Sequence, residues 1–285
     1  MTDNDSTDDF IRYLAAKKTV DDRALNRQVW ETLLAHWPDE ERPFPILEIG
    51  AGIGTMIERL HDNGLLTHTP YTAIDAEPAS IRAAQRRLPA LPNLELEACD
   101  LFDFIRREQG KRQWGLLIAH AFLDLMDVPR TLPQLFSLLR PGGLFYFTIN
   151  FDGGTILQPA IDRAFDAQVE SLYHRTMDER MTDGRPSGDS QAGRHLFHQL
   201  RETGAEILAA GSSDWVVFAG TDGYPADEAF FLHFIVQTMY GALANHPELD
   251  RLRFQQWIAQ RHAQIEAGEL LYIAHQLDFV GRWPG

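Results

Sequence analysis

The stretch Pro45-Ile46-Leu47-Glu48-Ile49-Gly50-Ala51-Gly52-Ile53-Gly54-Thr55-Met56-Ile57-Glu58-Arg59-Leu60 decides how the rest of the chain is read. Ile46 to Ile49 is a short apolar run between a proline and a glycine, the pattern of a buried strand. Three glycines follow at alternate positions, Gly50, Gly52 and Gly54, and Met56, Ile57 and Leu60 then fall at helical spacing. Strand, glycine turn and helix in succession let a backbone approach a ligand closely, because no Cβ stands in the way. A dinucleotide turn requires G-x-G-x-x-G. In the two possible registers the third glycine is replaced by Thr55 or Ile57. Glu48, two residues before the first glycine, would repel a pyrophosphate and suits a ligand that carries positive charge.

The pattern around this turn alternates. Tyr71 to Ile74 predicts a strand ending in Asp75, and Pro78 opens a helix with Ile81, Ala84 and Leu88. Leu94 to Cys99 predicts a strand ending in Asp100, followed by a short helix from Leu101 to Glu108. Gly115 to Ala119 predicts a strand followed by His120, then a helix from Pro129 to Leu139, a Pro141-Gly142-Gly143 turn, and a strand from Leu144 to Ile149. Strands separated by helices imply βαβ crossovers and a mainly parallel sheet, hence an α/β fold.

Upstream, Phe10 to Leu14 and Ala24 to Leu34 predict two helices with a break at Lys17-Lys18-Thr19-Val20 and a cap at Asp21 or Asp22. Pro38, Pro43 and Pro45 end the second. Residues 1–9, with Asp3, Asp5, Asp8 and Asp9, read as a solvated acidic tail. Downstream, 155–188 reads as an irregular helical insertion, 190–203 as a helix, and 205–219 as a strand interrupted at Gly211-Ser212-Ser213. A second helical insertion spans about 220–268, and Leu270 to Val280 closes the pattern as a strand. No linker divides residues 10–285, so one domain with two insertions is expected.

The 285 residues are 44% hydrophobic, enough for a sizeable core, and carry a formal net charge of −15. Such acidity opposes binding to nucleic-acid phosphates, and no DNA partner is expected. A single cysteine, Cys99, excludes an intramolecular disulfide and a cysteine-based zinc cluster. Eleven histidines form no H-E-x-x-H pattern, so no metal is expected. Without a signal-type N-terminus or an apolar stretch long enough to span a bilayer, a cytoplasmic protein with no membrane partner is expected.

Taken together the motifs resemble those of the class I S-adenosylmethionine-dependent methyltransferases. Leu47 to Thr55 looks like their first motif, Ala73-Ile74-Asp75 and Cys99-Asp100-Leu101 like the ends of their second and third strands. Leu117-Ile118-Ala119-His120 with Phe122 looks like the fourth motif, and Leu139-Arg140-Pro141-Gly142-Gly143 like the turn before the fifth strand. The resemblance implies a Rossmann-like, doubly wound, seven-stranded sheet of order 3-2-1-4-5-7-6 with strand 7 antiparallel. It also implies S-adenosyl-L-methionine as cofactor.

That cofactor gives each motif a task. Asp75 fits the vicinal ribose hydroxyls, since one carboxylate can accept both hydrogen bonds. Ala76 offers the adenine an apolar edge. By resemblance, Asp100 accepts from the adenine amino group and the Leu101 backbone meets the ring. The methionine ammonium needs acceptors, which the Ala119 or His120 carbonyls and the turn Glu48-Ile49-Gly50-Ala51-Gly52-Ile53-Gly54 could supply. Its carboxylate needs a donor, with Arg23 or Arg27 ahead of Tyr13 and Lys18.

His120, at the tip of the fourth strand, is the candidate catalytic base, with Asp124 of His120-Ala121-Phe122-Leu123-Asp124 nearby. Tyr173 and His174 are candidates for the substrate side. The Asn/Asp-Pro-Pro-aromatic tetrad of DNA amino-methyltransferases is replaced by Ala119-His120-Ala121-Phe122. The apolar run Phe230, Phe231, Phe234, Ile235, Met239 and Tyr240 could roof the site or form a homodimer through 226–244. With Trp257, Tyr272 and Trp283 it suggests an aromatic pocket for a small-molecule substrate. A protein or RNA-nucleoside methyltransferase and a non-catalytic cofactor-binding subunit are the alternatives.

Overall fold

The computed structural model describes residues 3–38, 44–182 and 184–285; Pro43, one of the expected helix-ending prolines, lies outside them, as do residues 1 and 2 of the expected tail. The glycine turn joins β1 (Ile46–Ile49) to α3 (Thr55–Asp62). Around it stand β2 (Tyr71–Asp75), β3 (Leu94–Ala98), β4 (Trp114–His120) and β5 (Leu139–Gln158). Each consecutive pair is joined through a helix: α4 (Pro78–Arg87), α5 (Leu101–Glu108) and α6 (Val128–Phe136). Strands β1, β2, β3, β4 and β5 are mutually parallel where they pair. β1 and β4 are buried along their whole length, which is why they read as continuous apolar runs.

The sheet closes with β8 (Glu206–Ser212), β9 (Trp215–Val217) and β10 (Leu271–Trp283). Its order is β3-β2-β1-β4-β5-β10-β8, with β9 also on β10. β10 is antiparallel to both its neighbours. With β10 and β8 counted as seventh and sixth strands, this is the order 3-2-1-4-5-7-6; β9 is an addition, split from β8 at the Ser212-Ser213 break.

Three boundaries differ from the sequence reading. First, α1 (Asp3–Ala24) is one helix of 22 residues. Residues 3–9 are therefore its first turns rather than an irregular tail, and there is no break at Lys17-Lys18. Lys17–Asp21 and Lys18–Asp22 ion pairs, one turn apart, brace the helix there. The break comes at Leu25-Asn26, where the Asn26 side chain accepts from the Val29 N–H and caps α2 (Arg27–Ala35).

Second, β5 runs on to Gln158, through residues expected to be helical. β10 pairs it from Gly143 to Gln158, and the Gly153-Gly154 doublet that resembles a turn is an irregularity in that ladder. A Cβ at Gly154 would lie 2.8 Å from the His275 Cβ. Third, the first insertion is only α7 (Arg163–Asp178) and a small hairpin of β6 (Met181–Thr182) and β7 (Arg185–Pro186).

α9 (Glu228–Leu243) and α10 (Arg251–Glu266) form the second insertion, and α8 (Ala192–Glu202) packs on the sheet. Phe231, Leu232, Ile235, Val236 and Met239 of α9 are buried with α1, α7, α10 and β9 in one cluster. That part of the apolar run is spent inside the chain, while Phe230, Phe234 and Tyr240 are partly buried. Among the described residues no helix is long and apolar enough to cross a membrane.

Candidate active site

Gly50, Gly52 and Gly54 have φ of 64°, 54° and 81°, the left-handed region that side chains avoid. At Gly50 space is forbidden as well: a Cβ would lie 2.3 Å from the Phe122 ring. Three amides of the turn are already engaged. Ala51 donates to the Ile74 carbonyl at 3.0 Å, Gly52 to Asp75 Oδ2 at 2.8 Å, and Gly54 to the Ala51 carbonyl at 2.9 Å. A pyrophosphate needs free N–H groups, and these three offer none. The turn offers close approach instead.

Asp75 ends β2 beside it. Its Oδ1 accepts from the Glu77 N–H at 2.8 Å, while Glu77, not Asp75, caps α4. Each Asp75 oxygen thus keeps capacity for a further hydrogen bond. Burial raises its pKa, against the two backbone donors. Ala76 is exposed at the same rim. Asp100 caps α5 through Oδ1, accepting from the Phe102 and Asp103 N–H groups. It is exposed, and no hydrogen bond engages its Oδ2. Leu101 is buried beneath it, and Ala119 is buried in β4 between Ile49 and Phe147.

Glu48 departs from expectation. It lies within a strand covered on both faces, and Tyr71 donates a 2.8 Å hydrogen bond to Oε2. Burial pushes its pKa up to about 8, against the Tyr71 bond. The carboxyl sits beneath the turn, largely neutral at pH 7, rather than presenting a fixed charge to a ligand.

His120 is wedged between two elements. Its Nδ1 is 2.7 Å from Thr148 Oγ1 and its Nε2 3.0 Å from Asp21 Oδ2. Burial pulls its pKa down to about 4 although Asp21 opposes this, so the ring is neutral. With Nε2–H donated to Asp21, Nδ1 accepts from the Thr148 hydroxyl, and the lone pair that a base needs is already used. This geometry speaks for a positioning role at the β4 tip rather than general-base work.

Asp21 gathers the cluster. It accepts from Lys17 at 2.7 Å and from the Trp215 indole at 2.9 Å, and Arg59 lies 3.7 Å away. Burial alone would raise its pKa, yet Lys17, His120 and Arg59 together hold it well below the usual carboxylate range. Arg59 also donates to Asp22, and its Nη2 is buried without a hydrogen-bond partner. From sequence, Asp21 reads only as a helix cap, Lys17 only as part of a helix break, and Arg59 has no site reading at all. The one visible signal was the Lys-Lys-x-x-Asp-Asp spacing on one helix face.

Arg23 does not reach this region. Its guanidinium donates to both oxygens of the fully buried Glu228 at 2.6 and 2.8 Å, clamping α1 to α9. Arg27 is exposed and pairs with Glu31, and Lys18 pairs with Asp22. Beyond β4, Tyr13, Tyr173 and Tyr272 meet at the border of the α1–α7–α9 cluster. His174 is bonded to Thr155 Oγ1 at 2.9 Å, and Trp257 to Asp166. Trp283 stacks on Phe136 in a different cluster and takes no part. A cavity of about 370 Å³ lies on the flank of α1–α3 between Lys18, Asp22, Trp30 and Arg59; the glycine turn does not line it. Among the described residues no three His, Cys, Asp or Glu side chains could hold a metal ion together.

Comparison with known proteins bears on this geometry. Residues 47–145 match the family model described as "Methyltransferase domain". No curated protein matches the sequence. Among solved structures, a cyclopropane-fatty-acyl-phospholipid synthase-like protein from Lactobacillus casei aligns with a TM-score of 0.54 at 14% identity. It covers 94% of this chain and 90% of that one. A proposed methyltransferase from Bacillus halodurans aligns with a TM-score of 0.53 at 10% identity, over 91% and 100%. At such identities these show a shared fold. Phosphoethanolamine N-methyltransferase 2 of Haemonchus contortus, in complex with S-adenosylhomocysteine, aligns at 11% identity with a TM-score of 0.46. The alignment covers 90% of this chain and spans about half (52%) of that enzyme.

Proposed function

Since residues 47–145 carry the domain that makes this chain a class I S-adenosylmethionine-dependent methyltransferase, we propose that it methylates a small organic molecule in the cytoplasm. The observation that carries the choice of cofactor is the turn itself. Its left-handed glycines admit a ligand closely, while the amides of Ala51, Gly52 and Gly54 are spent on Ile74, Asp75 and Ala51 and are not free for a pyrophosphate.

The residues present fit the cofactor. Asp75, with unused lone pairs at the β2 tip, would take the ribose hydroxyls, and Ala76 would border the adenine. Asp100, through its free Oδ2, would take the adenine amino group beside the Leu101 backbone. Gly50, Ala51, Gly52, Gly54 and Ala119 would line the methionine end. Arg59, whose buried Nη2 makes no hydrogen bond although Asp21 lies 3.7 Å away, would replace Arg23 as the donor for the carboxylate. When bound, S-adenosylmethionine supplies an electrophilic methyl group on a sulfonium. The chain's own part is to orient the acceptor and exclude water. Aromatic side chains of α1, α7 and β10 beyond β4 support a small rather than a polymeric acceptor.

Titration calorimetry with S-adenosylhomocysteine, with NAD as control, tests the reading: binding of the first alone is expected, and binding of NAD alone would overturn it.

A further inference from the structure

Asp124 is the charged group that the proposed function leaves unused. It lies in the short turn Leu123–Leu125, directly after the β4 tip. Its Oδ1 is buried and has no hydrogen-bond partner, and among the described residues no cation stands within ion-pair distance of it. The nearest positive charges are Lys17, committed to Asp21 at 2.7 Å, and Arg180, which is exposed. The turn is fixed, since the Asp189 N–H donates to the Asp124 carbonyl at 3.1 Å.

Two phenols stand near this carboxylate, and a third stands beside them. Tyr13 and Tyr173 lie within range of its charge, and Tyr272 lies beside Tyr173. The Tyr13 ring is held by stacking on Phe234 at 4.2 Å and Phe231 at 5.6 Å between centroids. Among the described residues none of the three hydroxyls has a hydrogen-bond partner, while Tyr71 and Tyr224 both do. A carboxylate with one oxygen buried and unpartnered, without a cation and beside unengaged phenols, is costly unless a ligand completes it.

We propose that Asp124, with Tyr13, Tyr173 and Tyr272, forms the acceptor site and that the acceptor is a small amine presenting its nitrogen to Asp124 Oδ1. This rests on the methyltransferase reading and deepens it. An entering ammonium supplies the missing cation, and the unengaged phenol oxygens can accept its remaining N–H groups. An alcohol would give the carboxylate a hydrogen bond but no compensating charge, and a carboxylate is far too weak a base to activate it. Burial raises the Asp124 pKa to about 6, closer to that of an amine. Asp124 takes one proton from the ammonium and frees the lone pair that forms the new N–C bond. The C–S electron pair returns to sulfur, the product leaves as a methylammonium ion, and Asp124 releases its proton to solvent.

The test is calorimetry on the full chain saturated with S-adenosylhomocysteine. The probes are three matched pairs: phenethylamine and 2-phenylethanol, benzylamine and benzyl alcohol, butylamine and butanol. At least one amine is expected to bind tenfold or more tightly than its alcohol. Asp124→Asn should weaken that amine at least tenfold, and Tyr173→Phe about threefold, with S-adenosylhomocysteine affinity within twofold of wild type in both. Equal binding of amine and alcohol, no binding by any amine, or an unaffected Asp124→Asn variant would overturn the proposal. Loss of S-adenosylhomocysteine binding by the wild-type chain would instead sink the reading beneath it.

Discussion

The Gly52 amide donates to Asp75 Oδ2 at 2.8 Å, so the turn after β1 and the tip of β2 are one hydrogen-bonded unit before any ligand arrives. Asp75→Ala removes this bond, the Glu77 bond and the proposed ribose contacts together. Affinity for S-adenosylhomocysteine should fall by about 1–3 kcal/mol, measured by calorimetry. An unchanged affinity would take Asp75 out of the site.

Gly50→Ala meets both a left-handed backbone and the Phe122 ring. The backbone term alone costs about 1–2 kcal/mol, and the melting temperature should fall. Adding Phe122→Ala should restore part of the loss, the part due to the clash, in a double-mutant cycle. Additive losses would show that Phe122 gives way freely.

Glu48 makes a pH prediction. Its pKa rises from an ordinary 4.5 to about 8 on folding, so the folded state holds a proton that the unfolded state has released. Its contribution to stability is fully present below about pH 4.5 and is lost as pH rises towards 8. Glu48→Gln keeps a neutral group at every pH. The difference in melting temperature between variant and wild type should therefore shift in the variant's favour from pH 5 to pH 8. A constant difference would place the carboxyl outside this account.

His120 carries the opposite sign. Its pKa falls from 6.5 to about 4 on folding, so the unfolded chain binds the proton first and stability drops as pH falls from 6.5 to 4. His120→Ala should flatten that limb of a thermal-denaturation pH series. It also strips a partner from Asp21, and should lower stability by about 2 kcal/mol. Turnover per folded molecule should change little, and a loss of a hundredfold or more would restore His120 as the base.

The clamp between α1 and α9 is testable by stability alone. Arg23→Ala leaves the fully buried Glu228 carboxylate with only Thr19, and should cost about 3 kcal/mol or more in urea unfolding. Arg23→Ala with Glu228→Gln should recover much of it. Weaker binding of S-adenosylhomocysteine without loss of stability would return Arg23 to the cofactor site.

What the sequence revealed and what it hid follow one physical line. Gly50, Gly52 and Gly54 were legible because left-handed backbone selects glycine locally, and β1 and β4 because strands buried on both faces must be apolar. Asp75 and Asp100 were legible as positions, each ending a strand. The Asp21–His120 contact joins residues 99 apart, and no local pattern announces such a pairing. Arg23 and Arg59 looked alike as isolated arginines, and only packing sends one to Glu228 and the other to Asp21 and Asp22. β5 obeys the same rule: the sequence pattern ends it at Ile149, and only pairing with β10 carries it through Gly153-Gly154 to Gln158.

That long strand also sets a mechanical condition. β5 begins against β4 in the parallel sheet and ends beyond it, paired with β10 as far as Gln158 and Leu271. Thr155, the partner of His174 on α7, is therefore carried on a girder that grows out of the sheet, not on a free loop, and α7 is moored to the same ladder that completes the sheet.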